Sequence, residues 1–305
     1  MAWGGGVPRR ARTSALVAAV GVLVTVGVSA CDQGTESGDQ SGRVRVVAGV
    51  YPLAWAAEAV GGDAVTVADL TPNGAEAHDL ELTPDQRDDV ADADLVIVIG
   101  AGFQPAVEDS ASQRDGETLV VHDALDGTGE LDDPHVWLDP LLMGEVVDAI
   151  AEVLAEAAPD HAAELENRAA ATRDTLTAVD REYESALGQC ESRALVTAHD
   201  AFGYLAARYD LRNEGVAGLS PDAEPDPARL ADLADLVESE GVEVVFTEEL
   251  VSREIAETLA SEAGVETRVL STLEGLTEDQ HADGDDYVSV MRENLTEIRV
   301  GLGCA

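Results

Sequence analysis

Eight short runs, dealt out in two groups of four, constrain this chain more than any other feature. RVRVVAGV (43–50), AVTVADL (64–70), DLVIVIG (94–100) and TLVVHDA (118–124) form the first group. RALVTA (193–198), RNEGVAG (212–218), VEVVFTE (242–248) and TRVLS (267–271) form the second. Most are continuous in aliphatic residues rather than alternating, the pattern of strands covered on both faces. Helical patterns separate most of them, among them YPLAWAAEAVGG (51–62), TPDQRDDVADA (83–93), DAFGYLAARYD (200–210), PARLADLADLVESEG (227–241) and SREIAETLASEAG (252–264). Strands alternating with helices imply parallel sheets flanked by helices.

The two groups are held apart by a helical stretch running from Pro140 to about Gln189, punctuated once at Pro159-Asp160. Its second part, HAAELENRAAATRDTLTAVDREYESALGQ, is long for a globular helix. Its heptads are weak and filled with alanine, which argues against a coiled coil and for a helix spanning two lobes. The expected fold is α/β, with two lobes that are each a mostly parallel sheet flanked by helices, joined by one long helix. The first lobe is expected over 44–158, the linking helix over 159–189 and the second lobe over 190–305. No sequence repeat relates the lobes, and 305 residues suit two domains of ordinary size.

Residues 1–30 read as an export signal: Arg9, Arg10 and Arg12 precede an apolar run from Ser14 to Ala30. That run is short for a spanning helix and ends in small residues. VSAC (28–31) resembles a bacterial lipobox, with Val28 in place of the usual leucine, so Cys31 is the expected lipid-bearing residue. DQGTESGDQSGR then reads as a flexible tether, completing residues 31–43. The expected location is extracytoplasmic, on the outer face of the cell membrane. In that oxidising setting the remaining cysteines, Cys190 and Cys304, are expected to form a disulfide. The formal net charge of −43, with arginine as the only basic residue besides histidine, excludes nucleic acid as a partner and attracts cations.

Ligands in such sheets bind beyond the carboxyl ends of the strands. His78 lies in the loop after 64–70, and His199 directly follows the strand ending LVTA. Glu274 follows 267–271, and His135 precedes the helix opened by Asp139-Pro140. DDPHVWLDP (132–140) holds His135 between two turn-forming Asp-Pro pairs with Trp137 as an apolar anchor. Asp200 is expected to cap the helix after His199. Three imidazoles and one carboxylate make a tetrahedral zinc set, whereas manganese is better served by more oxygen ligands. Glu248 and Glu249 also follow a strand, so position alone permits either as the carboxylate. They read equally as charges at a helix start. His122, His161 and His281 read as surface residues.

AHDLELTP, DPHVWLDP, TAHDAFGYLA, SPDAEPDPARL, VVFTEELVS and VLSTLEGLTEDQ…DYVSVMRENL occur in that order. Across the mature chain they resemble the zinc-binding receptor lipoproteins of ABC-type metal uptake systems. The resemblance implies metal held in a cleft between the lobes, with His78, His135, His199 and Glu274 as ligands. Glu274 is favoured by the LEGL context, and Gly275 is expected to free the backbone that turns it inward. Other members use an aspartate slightly earlier, where this chain has Ser271. Manganese members carry glutamate at the position matching His199. The resemblance further implies Zn(II) as cargo, a membrane permease as partner, attachment through the N-terminal lipid, and a monomer. One departure stands out: the histidine-rich loop of many zinc receptors is replaced by a short acidic segment, 108–133. A manganese or iron receptor is the nearest alternative. A zinc hydrolase is more distant, because four protein ligands leave no open position and HExxH is absent. On adhesion as a second role the residues are silent.

Overall fold

The computed structural model describes residues 42–125, 133–221 and 226–305. The export segment 1–30, Cys31 and the tether up to residue 41 lie outside the described residues, as does 126–132 of the acidic segment. The first lobe contains β1 (Val44–Ala48), α1 (Tyr51–Gly61), β2 (Val65–Asp69), α2 (Pro84–Asp92), β3 (Leu95–Val98), α3 (Pro105–Ser112), β4 (Glu117–Val120) and the single turn α4 (Val121–Ala124). Helices α5 (Pro140–Ala157) and α6 (Ala162–Leu187) follow. The second lobe contains β5 (Ala194–Thr197), α7 (Gly203–Arg208), β6 (Arg212–Gly215), α8 (Pro227–Glu240), β7 (Val244–Thr247), α9 (Glu254–Ala263), β8 (Glu266–Val269), α10 (Glu278–Asp283) and α11 (Tyr287–Gly301).

Both sheets are parallel and share one topology, β2-β1-β3-β4 in the first and β6-β5-β7-β8 in the second. The central strands β3, β5 and β7 are buried along their whole length, and β1 at every position but Arg45. One face of the first sheet packs with Leu70, Val90 and Val107. The other face joins a core that continues through Leu138, Val147, Leu176 and Tyr183 into Phe202, Phe246, Tyr287 and Ile298. From residue 42 onward the chain is therefore one compact unit rather than two separable ones. Among the described residues no helix is long and apolar enough to cross a membrane.

The long helix is shorter than the sequence pattern suggests. Pro159 starts a single 3-10 turn over Pro159–His161, and regular α-helix begins only at Ala162. It packs against α1, α5 and α11. Tyr183 donates to the Met291 carbonyl at 2.6 Å. Helices α3 and α10, short and rich in acids, are absent from the sequence reading.

The expected cap at Asp200 is corrected. Helix α7 starts three residues later, with Phe202 at its cap. Asp200 instead accepts from Asn213 Nδ2 of β6, and its own N–H donates to the Gly218 carbonyl.

Cys190 and Cys304 are joined by a disulfide. Glu191 and Ser192 N–H groups also donate to the Leu302 carbonyl, and Ala305 N–H to the Gln189 carbonyl. The chain end is thereby fastened to the exit of α6. Closing a loop with a sequence separation of 114 residues contributes about 4–5 kcal/mol in the chain-entropy model.

Candidate metal centre

His78, His199 and Glu274 lie in the loops that follow β2, β5 and β8, and His135 lies in the segment that leads into α5. The loop after β2 delivers His78. Glu76 accepts from the N–H groups of His78 and Asp79, at 2.7 and 3.0 Å. Gln104, directly before α3, donates through Nε2 to the Ala77 carbonyl and to Thr71 Oγ1, both at 3.1 Å. Phe103 meets the His78 ring edge-on at a centroid distance of 4.5 Å.

His135 is held by the residue preceding its proline. Asp133 Oδ1 accepts the His135 N–H at 2.9 Å and lies 2.8 Å from its Nδ1. This is an Asx turn with Pro134 in its middle, where proline fixes the backbone. Asp139 caps α5, accepting from Leu141 and Leu142 N–H, and pairs with Arg208 of α7. Trp137 is fully buried; its Nε1–H donates to the Thr272 carbonyl at 2.8 Å, and its own carbonyl accepts from Tyr287 Oη. The His135 segment is thus bolted directly to the loop that carries Glu274.

The reading that Gly275 turns Glu274 inward is corrected as well. The residue with left-handed backbone is Leu273, at φ 58°, and it is a buried non-glycine. Such a conformation persists only where surrounding bonds over-determine it. Here Ser271 Oγ accepts the Leu273 N–H, while Asn294 of α11 accepts the Ser271 N–H and donates to its carbonyl.

His199 follows β5, and Glu248 follows β7 beside it. Glu248 Oε1 accepts the His199 N–H, and its two oxygens lie 2.8 and 2.9 Å from His199 Nδ1. Glu248 is therefore not the helix-start charge that the sequence offered as one alternative: α9 begins only at Glu254.

His78, His135, His199 and Glu274 converge, with one ligand atom from each lying within 4.8 Å of all the others. Glu274 Oε1 stands 3.6 Å from Nε2 of each of the three histidines. His135 and His199 Nε2 are 3.4 Å apart. Zinc bonds of 2.0–2.1 Å in tetrahedral geometry put neighbouring ligand atoms about 3.3–3.4 Å apart, so these spacings suit a zinc-sized centre. Among the described residues, His78 Nε2 and Glu274 Oε1 are buried without a hydrogen-bond partner. Buried polar atoms left so are costly unless a ligand satisfies them.

Burial alone would lower the His135 imidazole pKa, but Asp133 and Glu274 outweigh it and hold it up at about 9. Burial would raise the Glu274 carboxyl, yet His135 and His78 hold it well below the usual carboxylate range. His161 and His281 are exposed and His122 is half-buried, and none joins the cluster.

Residues 46–301 match the family model described as zinc-uptake complex component A, periplasmic. The chain belongs to this family. The zinc-binding lipoprotein AdcA of Streptococcus pneumoniae is 34% identical over 278 residues, covering 85% of this chain and 56% of that protein. This chain thus spans little more than half the length of those relatives. The high-affinity zinc uptake system protein ZnuA of Bacillus subtilis is 33% identical over 300 residues, covering 90% of this chain and 93% of its own length. Among solved structures, the Zn(II)-bound ZnuA-like domain of Streptococcus pneumoniae AdcA superposes with a TM-score of 0.73 at 34% identity, over 86% of this chain and 99% of that one. The family is one of binding components of an uptake complex, which sets the hydrolase reading aside.

Asp133, Gln104 and Leu273 are site residues absent from the sequence reading, and Glu248, weighed there as a ligand or a helix-start charge, stands instead against His199. Asp133 carried a usable signal, since Asp-Pro-His is an Asx-turn pattern around an already suspected ligand. Glu248 did not: its role depends on β5 and β7 being neighbours, a pairing between residues 49 apart.

Proposed function

We propose that the protein is an extracytoplasmic receptor that captures Zn(II) with His78, His135, His199 and Glu274 and delivers it to the permease of an ABC-type importer. The observation that carries this reading is the placement of Glu274 Oε1 at 3.6 Å from three Nε2 atoms. One carboxylate and three imidazoles, all buried, offer a closed tetrahedral set. Four ligands with a single oxygen favour zinc over manganese. The names of the relatives, zinc-binding and zinc uptake proteins, support the same cargo.

Native mass spectrometry of the mature protein with zinc and manganese at equal concentration is expected to show one bound zinc and no bound manganese. Displacement of zinc by manganese would overturn the assignment.

The anchor is proposed at Cys31, after removal of residues 1–30, with 31–43 as tether, lobes over 44–158 and 190–305, the linking helix between them, and a monomeric state. Metabolic labelling with a fatty acid is expected to mark the wild type and to miss Cys31→Ser. Equal labelling of both would remove the lipid anchor.

A further inference from the structure

The carboxylate of Glu248 is committed to one residue. Oε1 accepts the His199 N–H at 3.2 Å, and both oxygens lie within 2.9 Å of His199 Nδ1. The side chain is 2% exposed. Among the described residues its hydrogen bonds and its ion pair all go to His199. Desolvating a carboxylate costs several kcal/mol, and a structural one is normally repaid by several donors or an arginine. Both donors that meet Glu248 belong to His199 and no arginine pairs with the carboxylate among the described residues, so its presence calls for a role exerted through His199.

We propose that Glu248 is a positioning residue for metal capture, fixing His199 as the Nδ1–H tautomer with its Nε2 lone pair aimed at the ion. This rests on the reading of His199 as a ligand. A neutral imidazole carries one N–H, and an ionised carboxylate can only accept. Glu248 therefore keeps the hydrogen on Nδ1 and leaves Nε2 bare. Nε2 is the atom that faces Glu274 Oε1 at 3.6 Å and His135 Nε2 at 3.4 Å. Because the same carboxylate also grips the backbone N–H, it sets the ring plane relative to the main chain. The hydrogen bond makes the imidazole a stronger donor to the metal, and holding the ring in place lowers the ordering cost of binding.

The topology explains why this position can do it. In the second sheet the chain moves one way from β5 to β6 and the other way to β7, so a crevice opens between β5 and β7 at their carboxyl ends. His199 leaves one side of that crevice and Glu248 the other. Asp133 grips the N–H and Nδ1 of His135 in the same manner. The rings of both imidazoles are thus held in orientation before the ion arrives.

The test uses the mature protein, zinc competition against a chromophoric chelator, and ring ¹⁵N NMR of His199 without metal. Glu248→Ala is expected to weaken zinc binding about tenfold, within the 10–100-fold range typical of such partners. In a His199→Ala background the same substitution should add less than a factor of two, because its target is gone. The NMR should find the Nδ1–H tautomer in the wild type and a mixture in Glu248→Ala. Glu248→Gln keeps the volume if the alanine variant folds poorly, and should also mix tautomers because an amide can donate to Nδ1. An unchanged tautomer in both variants, or a tenfold loss that persists without His199, would overturn the proposal. Failure of the wild type to bind zinc would instead sink the receptor reading, while the metal-free NMR would still judge Glu248.

Discussion

Glu274→Ala is expected to weaken zinc binding at least a hundredfold, about 2.7 kcal/mol. Three neutral imidazoles leave the full double charge of the ion in a buried site, and the Glu274 carboxylate, as the proposed fourth ligand, halves it. Electrostatic attraction at that depth is weakly screened. The protein should still fold, since Glu274 Oε1 has no hydrogen-bond partner among the described residues. Its removal takes from His135 one of the two carboxylates that face it, and Asp133 remains. Glu249→Ala, whose carboxyl lies half-buried outside the cluster, should change zinc affinity by less than a factor of three. Chelator competition on the purified variants, with thermal unfolding as the control for fold, measures both. A Glu274→Ala protein that holds zinc as the wild type does would remove Glu274 from the ligand set.

The sequence made the architecture legible because parallel strands and their helices leave local patterns. The aliphatic runs of β1, β3, β5 and β7 could be read directly, as could the Thr83-Pro84 start of α2 and the Asp139-Pro140 start of α5. What failed was local geometry settled by distant partners. Asp200 looks like a cap, yet Asn213 takes its carboxylate. Gly275 looks like the turning residue, yet the Asn294 clamp on Ser271 forces the positive φ onto Leu273. The three histidines and Glu274 were named as ligands with the help of family motifs, because spacing along the chain says little about convergence. Trp137 was read as an anchor for His135. Its second role, donating to the Thr272 carbonyl across the lobes, needed the structure.

Zinc affinity is expected to fall about a hundredfold between pH 7.5 and 5.5 through His135 alone, since each pH unit below its pKa costs a factor of ten. Asp133 and Glu274 hold the metal-free His135 pKa at about 9, against the lowering effect of burial. The sign follows from which form binds. Below pH 9 the metal-free imidazole carries a proton, only the neutral ring can ligate, and zinc must expel that proton to enter. Affinity therefore rises with pH until about 9 and then levels off for this group. Glu274, held well below the ordinary carboxylate range by its histidine neighbours, stays ionised throughout and adds no acid limb of its own. Calorimetry at pH 7 in two buffers of different ionisation enthalpy should register release of about one proton for each zinc bound. A slope steeper than tenfold per unit would mean that a second imidazole titrates with His135. Equal affinity at pH 8 and pH 6, with no proton released, would show that Asp133 and Glu274 do not protonate this ring in the metal-free protein.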